Sequence, residues 1–225
     1  VLSHTSAALH HGWGVKSVPQ QPHVTVGRGR KPGARARLAR LHYRELAADE
    51  VANGATTPEV TLRDCLRTLP FDEALCVADS ALRVSGCARL LEAIADAARG
   101  PGSPQIRRVA AAATPLSANP FESTLRAICL DVPGLRVQPQ VSIVDGDFAA
   151  RVDLADRRLL LALEADSFTW HGGRAALASD ARRYNRLVVA GWTVLRFSWE
   201  DAMLHPSEVR EVLVRAVSLA ELLVE

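Results

Sequence analysis

The chain has 225 residues, of which 48% are hydrophobic and 23% are charged. That length accommodates one or two domains with apolar cores, and the composition excludes an intrinsically disordered chain. The formal net charge is only +2, so overall charge does not by itself indicate a nucleic-acid partner. No apolar stretch approaches the roughly 20 residues of a membrane-spanning helix, and the first residues lack a signal-peptide pattern. We therefore expect a cytoplasmic protein with no membrane partner.

Arginine supplies nearly all of the positive charge, because lysine occurs only at positions 16 and 31. We interpret this first as a coding bias and only second as phosphate recognition. The cysteines are too far apart in the sequence for a zinc knuckle, which favours buried reduced thiols over metal ligands. They are Cys65, Cys76, Cys87 and Cys129.

Residues 1–55 contain short β-rich pieces separated by proline and glycine turns. The basic stretch 28–44 is as typical of a solvated loop and strand as of a nucleic-acid contact. From residue 57 onward, apolar residues recur at intervals of three and four, which predicts helices. Together these patterns predict a smaller α+β domain over residues 1–98.

The stretch 99–118 is rich in glycine, proline, alanine and serine, and predicts a linker. Asn119 and Pro120 are typical of the cap and first position of a helix. Glu122 falls in the first turn of that helix, where its charge suits the helix dipole. Ordinary helix-start chemistry would therefore explain Glu122 without any function.

Residues 119–225 alternate between helical and strand-like patterns, which predicts a second domain of the α/β class. After its first helix we expect strands over 137–144, 148–155, 159–164 and 192–197, and helices over 175–190, 199–203 and 206–223. The third strand is apolar on both faces, as in a covered central strand. The predicted order is α-β-β-β-α-β-α.

Acidic side chains occur along these strands in an order that suits phosphodiester hydrolysis. Two carboxylates on neighbouring strands can hold Mg²⁺ and leave most of its ligand positions to water and phosphate. We predict Asp153 and Glu164 as that pair, with Asp166 on the same face as Glu164. A two-residue loop at 157–158 would make the pair diagonal neighbours, whereas an odd-numbered loop would put the two carboxylates on opposite faces.

Several ordered motifs between residues 117 and 217 together resemble one family. They are Asp153, Leu163-Glu164-Ala165-Asp166, Trp170-His171, Asp180-x-x-Arg183 and Gly191-Trp192-x-Val194-Leu195-Arg196-Phe197. The combination resembles domain of unknown function 559, which is similar to the very-short-patch-repair endonucleases of the PD-(D/E)xK superfamily. The resemblance implies a restriction-endonuclease-like αβββαβ core, DNA as the substrate and Mg²⁺ or Mn²⁺ as the cofactor. It also implies that Glu122 orients a metal-bound water.

The chain departs from the superfamily at the lysine of the (D/E)xK motif, which is replaced by Asp166. Candidates to bind phosphate in its place are Arg182, Arg183 and Arg196. His171 matches the spacing of a histidine in the patch-repair enzymes and is a candidate general acid or base. The ordinary alternatives are a surface histidine at position 171 and an ion pair between Asp180 and Arg183, one helical turn apart.

The N-terminal part resembles the segment that follows a winged helix in actinobacterial members of the same family. The matching residues are Val1-Leu2-Ser3-His4-x-Ser6-Ala7-Ala8 and Thr57-x-x-x-Thr61-Leu62-x-Asp64. Those winged helices resemble AbiEi-type antitoxins of type IV toxin–antitoxin systems, which implies a partner protein from such a system. Because the chain opens in sequence with a folded pattern, we expect a further domain upstream.

Three functional hypotheses remain open at this point. The leading one is a Mg²⁺-dependent DNA endonuclease that uses Asp153, Glu164, Asp166, His171 and Glu122. The second is a catalytically degenerate DNA-binding or antitoxin-like regulator, which the missing lysine and the basic N-terminal half favour. The third is a structural module that pairs with a toxin.

Overall fold

The computed structural model describes residues 1–31, 33–166 and 174–224. The chain forms two compact units, Val1–Pro120 and Phe121–Glu225, here called the first and second units. Both units combine helices with β-strands, so the predicted mixed α/β class is confirmed. None of the helices in the described ranges is long and apolar enough to cross a membrane.

The first unit combines five helices among its described residues with two small sheets. The helices are α1 (His4–His10), α2 (Pro58–Thr68), α3 (Phe71–Ser85), α4 (Ala88–Ala97) and α5 (Ser103–Ala112). Short 3₁₀ helices cover Ala34–Leu38 and Ala48–Glu50. The strands are β1 (His23–Val26) and β2 (Arg40–Tyr43), which pair in parallel, and β3 (Val51–Ala52) and β4 (Ala55–Thr56), which pair antiparallel.

Residues 99–118 differ from the predicted linker. They contain α5, whose Ile106 and Val109 side chains are fully buried. The helix packs against α2, α3 and α4, so the first unit extends to Pro120. The first unit is therefore not the smaller of the two, because α5 contributes to its core instead of spacing it from the second unit.

The second unit follows the predicted order of elements. Its helices are α6 (Pro120–Leu130), α7 (Arg174–Val189), α8 (Trp199–Leu204) and α9 (Pro206–Val224). Its strands are β5 (Gln138–Asp145), β6 (Phe148–Asp156), β7 (Leu161–Asp166) and β8 (Thr193–Ser198). They form one sheet in the order β5-β6-β7-β8, in which only the β7–β8 pair is parallel.

Apolar side chains cover this sheet on both faces, as the uninterrupted apolar pattern of β7 predicted. One core joins Leu161 and Leu163 of β7 to side chains of α6, α8 and α9. The other joins Ala162 of β7 to Leu187 of α7 and to Trp192. The sheet is a central layer between helices, and Asp153 and Glu164 interrupt its apolar surface on the two central strands.

The turn between β6 and β7 corrects the predicted register. It contains four residues, 157–160, instead of two, and the ladder pairs Leu154 with Leu163 and Asp156 with Leu161. Leu160 has a positive φ of 50°, a conformation that lengthens the turn before the strand begins. Because the loop has an even number of residues, Asp153 and Glu164 still lie on the same face of the sheet. The two extra residues move Glu164 from a diagonal position to one directly across from Asp153.

The cysteines fit the predicted reduced thiols. All four are free, and Cys65, Cys76 and Cys129 are buried, whereas Cys87 is half-buried. Burial raises the pKa of Cys129 to about 12, so its thiol is unreactive at neutral pH.

Candidate active site

Asp153 and Glu164, here called the acid pair, lie side by side on the two central strands. The ladder pairs Leu154 with Leu163, and one further step brings Asp153 opposite Glu164. Asp153 Oδ2 accepts a hydrogen bond from the backbone N–H of Ala165 at 2.9 Å. The Asp153 carboxylate is close enough to contribute to the raised pKa of Glu164, after the effect of burial. Two acids that lie 11 positions apart in the sequence thus share one small volume.

Glu164 is the more buried member of the acid pair, with 7% of its surface exposed. Burial raises the pKa of Glu164 to about 7, the Arg183 guanidinium opposes that rise, and the neighbouring Asp153 carboxylate adds to it. Two adjacent carboxylates with little solvent repel each other, and Arg183 offsets only part of the combined effect of burial and repulsion, so the pKa of Glu164 stays raised. A second positive charge beside the pair would favour the charged form of Glu164.

Arg183 on α7 forms an ion pair with Glu164 Oε1. The same guanidinium donates a hydrogen bond to the backbone carbonyl of Arg151 at 2.7 Å, which fixes its orientation along β6. Among the described residues, no ion pair joins Arg183 to Asp180, which is exposed. The sequence alternative of an Asp180–Arg183 pair is therefore wrong, because α7 turns the arginine toward the sheet.

Gln140 connects the acid pair to helix α6. Its side-chain amide donates to Glu122 Oε2 at 3.0 Å and lies 3.3 Å from Asp153 Oδ1. Glu122 is buried, with 6% of its surface exposed, although it stands in the first turn of a helix. Glu122 therefore reaches the acid pair through Gln140, which fits a supporting position better than a direct one.

The backbone is distorted where Gln140 meets Asp153. Gln140 has a φ of 53°, a left-handed conformation that costs energy for a residue other than glycine. On the facing strand, Val152 and Leu154 pack into different cores, although two residues of the same parity share a face in a regular strand. The regular alternation of β6 thus breaks at Asp153, the residue that carries the acid.

Asp166 and Arg196 form a second ion pair at the end of the parallel strands β7 and β8. The Arg196 guanidinium also lies over the Tyr184 ring, 4.3 Å from its centroid. Both charged groups of this pair are accessible, and Arg182 is exposed on α7. Of the three arginines predicted to bind phosphate, Arg183 and Arg196 lie beside the predicted acids, whereas the structure gives Arg182 no contact with them among the described residues.

His171 and Trp170 lie outside the described residues, so the predicted general acid or base stays a prediction. The acid pair is also not part of a tight cluster of three acids. Where side chains are described, one group of three or more ligand-type residues has its ligand atoms within 4.8 Å of one another, and it is His4, His23 and His42 in the first unit. A cation at the acid pair would therefore take two protein carboxylates and complete its ligand set with water and substrate, as Mg²⁺ commonly does.

Sequence reasoning identified the acids but missed Gln140. An isolated glutamine in a strand carries no chemical signal, and its importance follows from its backbone conformation and from its position opposite Asp153. It also missed the three histidines, which come from three separate elements and have no ligand spacing in the sequence.

The chain is 28% identical over 200 residues to two proteins of Mycobacterium tuberculosis. They are the uncharacterized protein MT2308 of strain CDC 1551 / Oshkosh and the uncharacterized protein Rv2248 of strain ATCC 25618 / H37Rv. The match covers 85% of this chain and 73% of each relative. No family model and no solved structure matches the chain. Because both relatives are named as uncharacterized, they assign no activity to this chain.

Proposed function

We propose that the second unit is a Mg²⁺- or Mn²⁺-dependent DNA endonuclease with a restriction-endonuclease-like core. The observation that carries this proposal is the acid pair, in which Asp153 and Glu164 face each other on adjacent strands and share little solvent. The αβββαβ order of elements around that pair supports the same conclusion. The resemblance to the very-short-patch-repair endonucleases supplies the reaction class.

The donor set suits a hard divalent cation. Carboxylate oxygens are the ligands that Mg²⁺ and Mn²⁺ prefer, and a cation would offset the burial and the repulsion by Asp153 that together raise the pKa of Glu164. When bound, the ion supplies Lewis-acid stabilisation of the scissile phosphate and an acidified water. Asp153 and Glu164 hold the ion, and Glu122 orients the site through Gln140.

Arginine side chains would supply the positive charge that the missing lysine provides in the superfamily. Arg196 pairs with Asp166, which stands at the lysine position of the (D/E)xK motif, so a positive charge is still present there. Arg183 pairs with Glu164, and with a cation bound at the acid pair its guanidinium would be available to bind a phosphate oxygen. Arg182 adds positive charge on the same helix. We keep His171 as the candidate proton donor or acceptor.

The direct test is nicking of supercoiled plasmid DNA in Mg²⁺ and in Mn²⁺. Asp153→Asn and Glu164→Gln should each reduce the rate by at least about 100-fold, the scale on which removal of one catalytic group acts. Asp147→Asn is the matched control, because Asp147 lies in the β5–β6 hairpin with 89% of its side chain exposed. Cleavage that persists in both acid-pair variants would exclude the proposal.

A second candidate function is a catalytically degenerate DNA-binding or antitoxin-like regulator, with DNA or a toxin-like protein as its partner. One observation favours it: Glu164 already has a cationic partner in Arg183, so the carboxylate is compensated without a metal. This candidate predicts DNA binding in EDTA that the acid-pair variants leave unchanged, together with no cleavage in either metal. The endonuclease predicts cleavage that EDTA abolishes.

A further inference from the structure

Three histidines meet at one point in the first unit. His4, His23 and His42, here called the histidine cluster, each offer one ring nitrogen, and these nitrogens lie within 4.8 Å of one another. His42 Nε2 and His23 Nδ1 are 3.3 Å apart. Two imidazole nitrogens bound to one tetrahedral Zn²⁺ at 2.0–2.1 Å would be about 3.3–3.4 Å apart.

The fold brings these rings together from three elements. In the parallel β1–β2 pair, Thr25 lies opposite His42, so His23 and His42 project from the same face as diagonal neighbours. The backbone N–H of Ser3 donates to the carbonyl of His23 at 3.0 Å, which holds the start of α1 against β1. His4 follows at once, and its ring stacks on that of His42 with centroids 3.6 Å apart, so the His4 ring has to turn about its side-chain torsions to share one ion with His42.

His4 occupies its position under strain. Its φ is 49°, in the left-handed region, at the first residue of α1. Its Nδ1 lies 3.1 Å from the hydroxyl of the buried Ser3, a contact that leaves Nε2 available. A strained backbone that aims a buried imidazole at two others indicates a constraint beyond packing.

Two hydroxyls beside the cluster lack hydrogen-bond partners. Thr5 and Thr25 are 4% and 3% exposed, and among the described residues neither Oγ1 has a partner. Thr5 lines a cleft of about 630 Å³ together with all three histidines. A buried hydroxyl without a partner marks a place for an ordered water or ligand. The cleft therefore has room for a solvent ligand on a metal at the cluster.

The local charges permit a cation. Arg44 pairs with Asp64 at 3.0 Å, and Arg40 shares the cleft with Glu73, so each nearby guanidinium has an acid close by. Neutral imidazole is the form of histidine that binds metals.

We propose that His4, His23 and His42 form a site for a divalent transition metal of the zinc type, with a fourth ligand position open to the cleft. Three imidazoles are a soft-to-borderline donor set that selects Zn²⁺ or Co²⁺ over Mg²⁺. The site is thus chemically distinct from the acid pair, which has oxygen donors only. Loss of one site would leave the other intact.

The test uses the full chain and the metal ions themselves. Equilibrium dialysis should find one tight Zn²⁺ per chain, and Co²⁺ should give the visible absorption of a tetrahedral site. The substitution His42→Asn should weaken Zn²⁺ binding by at least about 100-fold, which is more than the loss of a supporting contact costs. His10→Asn, an exposed histidine on α1, is the matched control and should bind like the parent.

A second measurement avoids variants that fail to fold. Zn²⁺ should protect His42 of the unaltered protein from carbethoxylation, as mapped by peptide mass, while His10 and His205 react equally with and without metal. Absence of tight Zn²⁺ binding would overturn the site, as would equal modification of His42 in the two conditions. Mg²⁺-dependent plasmid nicking is measured in a separate assay. A negative result for Zn²⁺ binding would therefore not contradict the proposed nuclease.

Discussion

Arg183 reaches across from helix α7 to form an ion pair with Glu164 on the central strand β7. Burial raises the pKa of Glu164 and the Arg183 guanidinium opposes that rise, so that the pKa settles at about 7. In the proposed nuclease, Arg183 would also contact the scissile phosphate. Its contribution to stability can be measured separately from that proposed role.

We predict that Arg183→Ala lowers the free energy of unfolding by about 2–4 kcal/mol at pH 8, because a buried carboxylate loses its partner. Arg186→Ala is the matched control one turn further along α7. Its partner Asp147 is exposed and the pair is screened by solvent, so the loss should be much smaller. Urea unfolding of the two variants checks the difference, and equal losses would mean that the Glu164 pair behaves as a surface pair.

Glu164 should also give the stability a distinct pH dependence in EDTA. Its pKa rises from 4.5 in an unfolded chain to about 7 in the folded protein, so between these values the folded state holds the extra proton. Protonation then favours folding, and the contribution of Glu164 to stability falls as the pH rises from 4.5 to 7. The total change is on the order of 1–3 kcal/mol.

Comparison with Glu164→Gln isolates this contribution, since all other titrating groups are shared. The difference in unfolding free energy between the parent and the variant should shift with pH across this window and stay constant above pH 8. Glu200→Gln, an exposed acid on α8, should give a flat difference. A flat difference for Glu164→Gln as well would show that its pKa is not raised.

Gln140 offers a test of the strained connection to Asp153 and Glu122. Gln140→Gly removes the side chain and relieves the left-handed backbone, whereas Gln140→Ala removes the same hydrogen bonds and keeps the strain. We expect Gln140→Gly to be more stable than Gln140→Ala by about 1 kcal/mol. Thermal unfolding measures that order.

Both Gln140 variants should also lose plasmid cleavage, by about 10- to 100-fold, because Asp153 and Glu122 lose their common partner. If the hydrogen bonds of the Gln140 side chain did not support the acids, both variants would cleave as fast as the parent. That outcome would remove Gln140 from the site.

Asp156 stabilises the four-residue turn between β6 and β7. The length of that turn determines that Glu164 lies opposite Asp153. Its buried carboxylate accepts hydrogen bonds from the backbone N–H groups of Arg136 at 2.7 Å, Arg158 at 3.0 Å and Leu159 at 3.2 Å. Asp156→Ala leaves three amides without this acceptor, which should cost about 2–4 kcal/mol. Asp145→Ala at the exposed end of β5 should cost much less, and similar losses for the two would contradict this role.

The sequence predicted the strands of the second unit, because their apolar runs are bounded by turns and acids. It placed the start of β7 two residues early, since Leu159 and Leu160 continue the apolar run without marking the turn. The turn extends to Leu160 because of contacts within the folded chain. The Asp156 carboxylate accepts a hydrogen bond from the amide of Leu159, and Leu160 adopts a positive φ. A periodicity argument has no access to either effect.

The first unit was harder to predict for similar reasons. Helix α1 has seven residues, too few to be stable by propensity alone, and it depends on packing against β1 and α2. Helix α5 has glycine and proline at its start. These residues are typical of a linker in the sequence, but in the structure they begin a buried helix. The histidine cluster depends on the packing of α1 against β1, so no local sequence pattern predicts it.

The central claim is that Asp153 and Glu164 together bind a divalent cation. Electron paramagnetic resonance can count bound Mn²⁺ in a chain that carries His42→Asn, so that imidazole ligands do not contribute. We predict one bound Mn²⁺ per chain in that background and none after Asp153→Asn is added. Equal Mn²⁺ binding with and without Asp153, in protein that remains folded, would contradict the claim.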